Sequence, residues 1–162
     1  MIKLLLLIIV LIIGYAYCYF VFPKDLHILQ TSVRDFDFNL LQARQPLVVQ
    51  DAIPNDMDTL IKSWFSPNIV KKLEQPVEDK WKINTHKFLL VHVHQDTELL
   101  LYQAGHKIDT NGMPSTDEPI IAIKMKEFQS VIIPYRWHYH LNKECNLYGI
   151  HDYVTYVIDI LI

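Results

Sequence analysis

The sequence predicts a mainly β chain with helices in its N-terminal part, a sandwich or barrel of short strands preceded by a single transmembrane helix. Three observations predict it. Residues Leu4 to Phe22 form an uncharged apolar run of 19 residues. Apolar residues then recur at helical spacing as far as Gln75-Pro76, and beyond that point the period changes from helical to two. The expected organisation is an N-terminal anchor over 1–23 and a domain over 24–162 whose first part, 24–75, is helical.

The apolar run is just long enough to cross ~30 Å of hydrocarbon as a helix. Lys3 precedes it, Tyr15, Tyr17 and Tyr19 crowd its far end, and Pro23 and Lys24 close it. A cleaved signal peptide is the competing reading, but the run exceeds the usual apolar region of a signal, and Ala16 and Cys18 make a poor cleavage site. Being apolar all round, the segment does not read as an amphipathic core helix. An uncleaved single-pass anchor is therefore expected, with Lys3 and the amino terminus nearly balancing Lys24 and His27 across the membrane.

Asp25 to Gln45 should contain a short helix, with Phe36, Leu40 and Leu41 at helical spacing. Gln45 to Ile53 (QPLVVQDAI) reads as a buried strand followed by a loop. Asn55 is a plausible N-cap for a helix whose apolar stripe is Met57, Leu60, Ile61 and Trp64, and Ser66-Pro67 is expected to start another. Strands are expected around Trp81 to Thr85, Phe88 to His94, Leu99 to Ala104, Ile120 to Met125, Val131 to Pro134, Trp137 to Leu141 and Tyr153 to Ile162. Asp109 to Glu118 reads as a turn-rich loop.

Composition excludes several classes. The chain has 162 residues, 51% hydrophobic and 20% charged, with net charge −3, so it is neither disordered nor low-complexity. It carries no basic cluster of the kind a nucleic-acid partner demands. Cys18 and Cys145 lie in different regions, which argues against a disulfide framework.

The stretch with most chemistry is His92 to Lys107, HVHQDTELLLYQAGHK. His92 and His94 are two residues apart on an expected strand, so their rings share a face. Glu98 follows four residues later, and two imidazoles with a carboxylate suit a transition metal. The spacing H-x-H-x3-E-x6-G resembles the first motif of the cupin superfamily, with His86 standing where that family has a glycine. The same residues resemble the JmjC-like hydroxylases: His92 at the first ligand position, His94 at the carboxylate position, Glu98 at the asparagine position, Gly105 and Lys107 at the closing pair. The resemblance covers roughly residues 45–142 and implies a double-stranded β-helix, Fe(II) held by His92, His94 and a distal group with Glu98 able to stand in for the missing carboxylate, and 2-oxoglutarate gripped by Lys107. The distal ligand should come from IIPYRWHYHLN, similar to the family's I-P-x-x-W-W-H segment. Tyr139 falls at the family's histidine, with His138 and His140 on either side.

Each of these residues also has a plainer reading, as a buried polar group satisfied by its neighbours. The apolar N-terminus, QPLVVQDAI, DTLIKSWFSPN and IIPYRW together resemble small membrane-anchored cupin-like proteins of large nucleocytoplasmic DNA viruses. That resemblance implies a lipid membrane and capsid or other virion proteins as partners, and a virion or host internal membrane as location. Two functions follow as expectations. One is a membrane-tethered structural or binding module with a degenerate metal site. The other is an Fe(II)/2-oxoglutarate oxygenase acting on a nearby protein.

Overall fold

The structure, a computed structural model, describes residues 2–19, 23, 25–51, 57–74, 80–103, 114 and 119–161. Ten strands dominate them: β1 (Leu29–Ser32), β2 (Leu47–Gln50), β3 (Ile69–Leu73), β4 (Lys82–Ile83), β5 (Phe88–His92), β6 (Thr97–Tyr102), β7 (Ile121–Met125), β8 (Ser130–Pro134), β9 (His138–Leu141) and β10 (Asn146–His151). Three α-helices, α1 (Ile2–Tyr19), α2 (Met57–Trp64) and α3 (Tyr153–Leu161), and a 3-10 helix over Phe38–Ala43 complete the described elements. The strands make two sheets. One has six strands in the order β1-β2-β8-β5-β10-β3, the other four in the order β4-β9-β6-β7.

The two sheets pack face to face, because alternate residues from both enter one apolar cluster. The six-stranded sheet contributes Val48, Leu89, Val91, Val131, Ile133 and Leu147, and the four-stranded sheet contributes Leu99, Leu101, Ile123, Met125, Tyr139 and Leu141. The opposite face of the six-stranded sheet is also apolar. Leu47, Val49, Phe88, Leu90, Ile132, Tyr148 and Ile150 lie there under Leu41 of the 3-10 helix and Met57, Ile61 and Phe65 in and after α2. The amphipathic stripe of α2 covers the sheet, and Phe36 stacks on Trp64 with ring centroids 4.4 Å apart.

Several expectations need correction. The predicted transmembrane anchor over 1–23, and with it the single-pass membrane location, is not supported: among the described residues no helix is long and apolar enough to cross a membrane. The described helix has 18 residues, a rise of about 27 Å against a hydrocarbon thickness of ~30 Å. Phe20 to Phe22, the end of the predicted span, lie outside the described residues.

The predicted double-stranded β-helix barrel is likewise replaced by two separate sheets. The hairpin expected around His92 and Gly105 is absent from the described strands, because β5 pairs with β8 and β10 whereas β6 pairs with β7 and β9. The chain crosses from one sheet to the other between them. Within the part expected to be helical, Ile69–Leu73 is a strand: its β-branched start pairs with β10, and the cis Ser66-Pro67 bond precedes it instead of opening a helix.

The C-terminal strand is a helix. Asp152 and Thr155 form a reciprocal cap, in which Thr155 N donates to Asp152 Oδ1 at 2.7 Å and Asp152 N donates to Thr155 Oγ1 at 3.0 Å. That cap nucleates α3 despite its β-branched residues.

One buried polar residue ties the layers together. Asn84, 1% exposed, donates from Nδ2 to the carbonyls of Ile133 and Pro134 at 2.9 Å each, and its Oδ1 accepts from His86 N at 2.9 Å. Its backbone carbonyl accepts from Arg136 N at 2.7 Å, so the segment after β4 holds the turn between β8 and β9. Asn84→Ala strands those groups in a dry site and is expected to cost about 2–3 kcal/mol, measured as a lowered midpoint in chemical denaturation at unchanged slope.

Candidate functional site

The residues singled out in the sequence sit on or beside β5, β6 and β9, and strand alternation decides which way each one faces. Leu89, Val91 and Val93 belong to the inter-sheet core, and Phe88 and Leu90 to the core under α2. His92 therefore faces the helix-covered side of the six-stranded sheet, away from the second sheet. Pairing sets Asn146 of β10 on one side of it and Ser130 of β8 on the other. Ser130 Oγ is hydrogen-bonded to His92 Nδ1 at 2.9 Å, and both residues are 0% exposed. His94, two residues on and exposed, meets the His92 ring edge to face with centroids 5.0 Å apart. Its Nε2 accepts from Asn146 Nδ2 at 2.7 Å. The result is a short polar row, Asn146–His92–Ser130, closing one end of an otherwise apolar face, with His94 at its rim.

Glu98 does not join this row. On β6 its neighbour Leu99 enters the inter-sheet core, so Glu98 turns to the far face of the four-stranded sheet, opposite Lys124 of β7. Tyr139 lies between the sheets, 7% exposed. His138 and His140 alternate with it and face the far side of the four-stranded sheet, where His138 contacts Tyr102 and His140 contacts Trp81 at centroid distances of 5.4 and 5.7 Å. The expected convergence of His92, His94 and Glu98, with Tyr139, His138 or His140 as distal group, therefore does not form. The candidates occupy three different faces. Gly105 and Lys107, assigned to the hairpin end and to 2-oxoglutarate, lie outside the described residues. Among the described residues no group of three or more His, Cys, Asp or Glu could hold a metal ion.

The physical reason is phase. H-x-H fixes that two rings share a face, not which face it is. Val91 and Val93 interleave with the histidines, are more apolar, and take the inter-sheet side. Ser130 and Asn146, which the sequence reading missed, carry no signal of their own. Only the register of three strands brings them to His92.

The electrostatics keep the row neutral. Burial, and secondarily the neighbouring His94, lowers the His92 pKa to about 4. Burial, and secondarily Cys145, pushes the Tyr139 phenol up to about 12, and burial raises the Cys145 thiol to about 11. Neither offers a ready anionic ligand at neutral pH. His92 Nε2 is buried without a hydrogen-bond partner among the described residues. One such nitrogen beside one exposed imidazole supplies two donors, short of the three protein ligands of a facial triad.

The lowered His92 pKa has a consequence for folding. The unfolded chain binds the His92 proton near pH 6.5 and the folded chain only near pH 4, so over that interval the unfolded state carries more protons. Stability is full above pH 6.5 and falls as pH drops towards 4, by roughly 3 kcal/mol for a shift of this size. Denaturant melts between pH 7.5 and 4 should follow that limb, and His92→Gln should flatten it. An unchanged limb in His92→Gln would assign the acid sensitivity to another group.

In comparisons with protein-family models, curated proteins and solved structures, the chain finds no significant match.

Proposed function

We propose that this chain acts as a structural or binding module and not as an Fe(II)/2-oxoglutarate oxygenase. The observation that carries this reading is how the space between the sheets is filled. Val91, Val93, Leu99, Leu101, Ile133 and Trp137 all contribute to one apolar cluster there. Trp137 is the bulkiest of these side chains and is 1% exposed. An oxygenase of the kind the sequence resembles needs its ligands on one face, with open positions beside them for cosubstrate and oxygen. Here the histidine pair lies outside that space and Glu98 outside it on the opposite side, so the donor set does not fit iron.

The histidine pair has a structural use that needs no catalysis. Hydrogen bonds from Ser130 and Asn146 let polar groups close the end of a sheet face that is otherwise apolar.

The test is metal content and titration of the full chain purified without chelator. Mn(II), used as an air-stable stand-in for Fe(II), should bind weakly, with His92→Ala and His94→Ala indistinguishable from wild type. Tyr139→His, which would complete a ligand set if Tyr139 faced the pair, should gain no metal affinity and should lower stability by placing an imidazole in the apolar core. One tightly held equivalent of metal, lost in His92→Ala and accompanied by 2-oxoglutarate decarboxylation, would overturn the reading.

A further inference from the structure

The two helices nearest the ends of the described chain meet at one carboxylate. Asp152 caps α3 through Oδ1, which accepts from Thr155 N. Its other oxygen, Oδ2, lies 2.6 Å from Lys87 Nζ and also accepts from the Tyr15 hydroxyl of α1. Lys87 Nζ in turn donates to Tyr15 Oη at 3.2 Å, with its ammonium 5.9 Å from the centre of the Tyr15 ring. The Lys87 and Asp152 side chains are only 17% and 18% exposed. Burial alone would raise the Asp152 pKa. Donation from Lys87, from the Thr155 amide and hydroxyl and from Tyr15 outweighs it and holds the carboxyl well below the usual range.

We propose that the Lys87–Asp152 ion pair is a clasp that fastens α1 to α3 through Tyr15, so that the two terminal helices are positioned as one unit. Each of its parts lies on a different element: Tyr15 on α1, Lys87 just before β5, Asp152 between β10 and α3. Among its other described side chains α1 shows no comparable fastening. Ile2 and Leu4 to Ile13 are all exposed, from 42% to 76%, and the described side-chain hydrogen bonds from α1 to the sandwich come from Tyr15. After α1 the chain is pinned independently, by Gln103 Nε2 donating to Pro23 O at 2.8 Å and Gln45 Nε2 donating to Asp25 O at 2.6 Å. Opening the clasp therefore frees α1 without detaching its end. The clasp also couples the helices energetically, because the carboxylate that caps α3 is the one that receives Tyr15. The proposal stands apart from the polar row and from the reading of function built on it.

Amide hydrogen exchange on the full chain tests the coupling. Tyr15→Phe removes one hydroxyl from a partly exposed ring and leaves the sandwich core untouched. It should speed exchange at Thr155 and Tyr156, 140 residues away in sequence, by about 3- to 10-fold, the range expected when a hydrogen bond to a charged group is lost at a partly exposed site. Leu89 to Val91 in β5 should exchange at the wild-type rate. Lys87→Met, which keeps the apolar stem, should reproduce both results. Unchanged exchange at Thr155 in both variants would overturn the clasp, as would equal acceleration in β5, which would mean general destabilisation.

Discussion

The structure depends on β5 being buried on both faces. Every residue from Phe88 to His92 is buried, because the strand lies between β8 and β10 inside the six-stranded sheet, with the second sheet on one side and α2 with the 3-10 helix on the other. A strand covered on both faces reads as a continuous apolar run. Its odd residues then fill the inter-sheet space and its even residues fill the space under the helices. Full burial of each large apolar side chain contributes roughly 1.5–3 kcal/mol, so a slip of one residue would move four such groups, Phe88 to Val91, at once. That constraint, and no local preference of the histidines, sends His92 to the helix-covered side.

Much of the strand layout was legible because the period of two survives in segments with one wet face. β6 and β7 alternate buried with partly or fully exposed residues over most of their length, and both were read close to their observed bounds. β10 was missed because Leu147 to His151 are all buried, so no alternation marks it, and Gly149 breaks the continuous apolar run that makes the equally buried β5 and β8 legible. β3 was read as a helix because Ser66-Pro67 suggests a cap, although its Ile-Val start and its pairing with β10 make it a strand. The segment of α3 reads as a strand from its apolar end, VIDILI, while the D-x-x-T spacing of Asp152 and Thr155 holds the better signal. Chain-level periodicity says which residues share a face but not what covers it.

The candidate site divides along the same line. That His92 and His94 share a face is a local property of two residues on one strand. Whether Glu98 or Tyr139 joins them depends on which strands pair and in what phase. β5 and β6 belong to different sheets, so every inference that treated them as one hairpin carried Glu98 to the wrong side. Asn84 was invisible for a related reason. Its partners, Ile133 and Pro134, lie 49 and 50 residues away, and no spacing near Asn84 announces them.

Asn84 and His92 are both buried polar side chains, and the sandwich accommodates them by different physics. Asn84 cannot change its charge, so its cost is met by hydrogen bonds at both ends of the amide. His92 makes a single bond from Nδ1 and leaves Nε2 without a partner among the described residues. An imidazole can take that position because it sheds its proton: the neutral ring is far cheaper to bury than the cation, and the lowered pKa expresses that choice. A lysine or an ionised carboxylate there would be a buried charge with only a hydroxyl for company. The residue type that would serve a metal centre between two sheets thus serves, one phase away, as a polar closure that neutral pH leaves uncharged. Motif spacing carries chemistry only when the face it selects is the face where the reaction would occur.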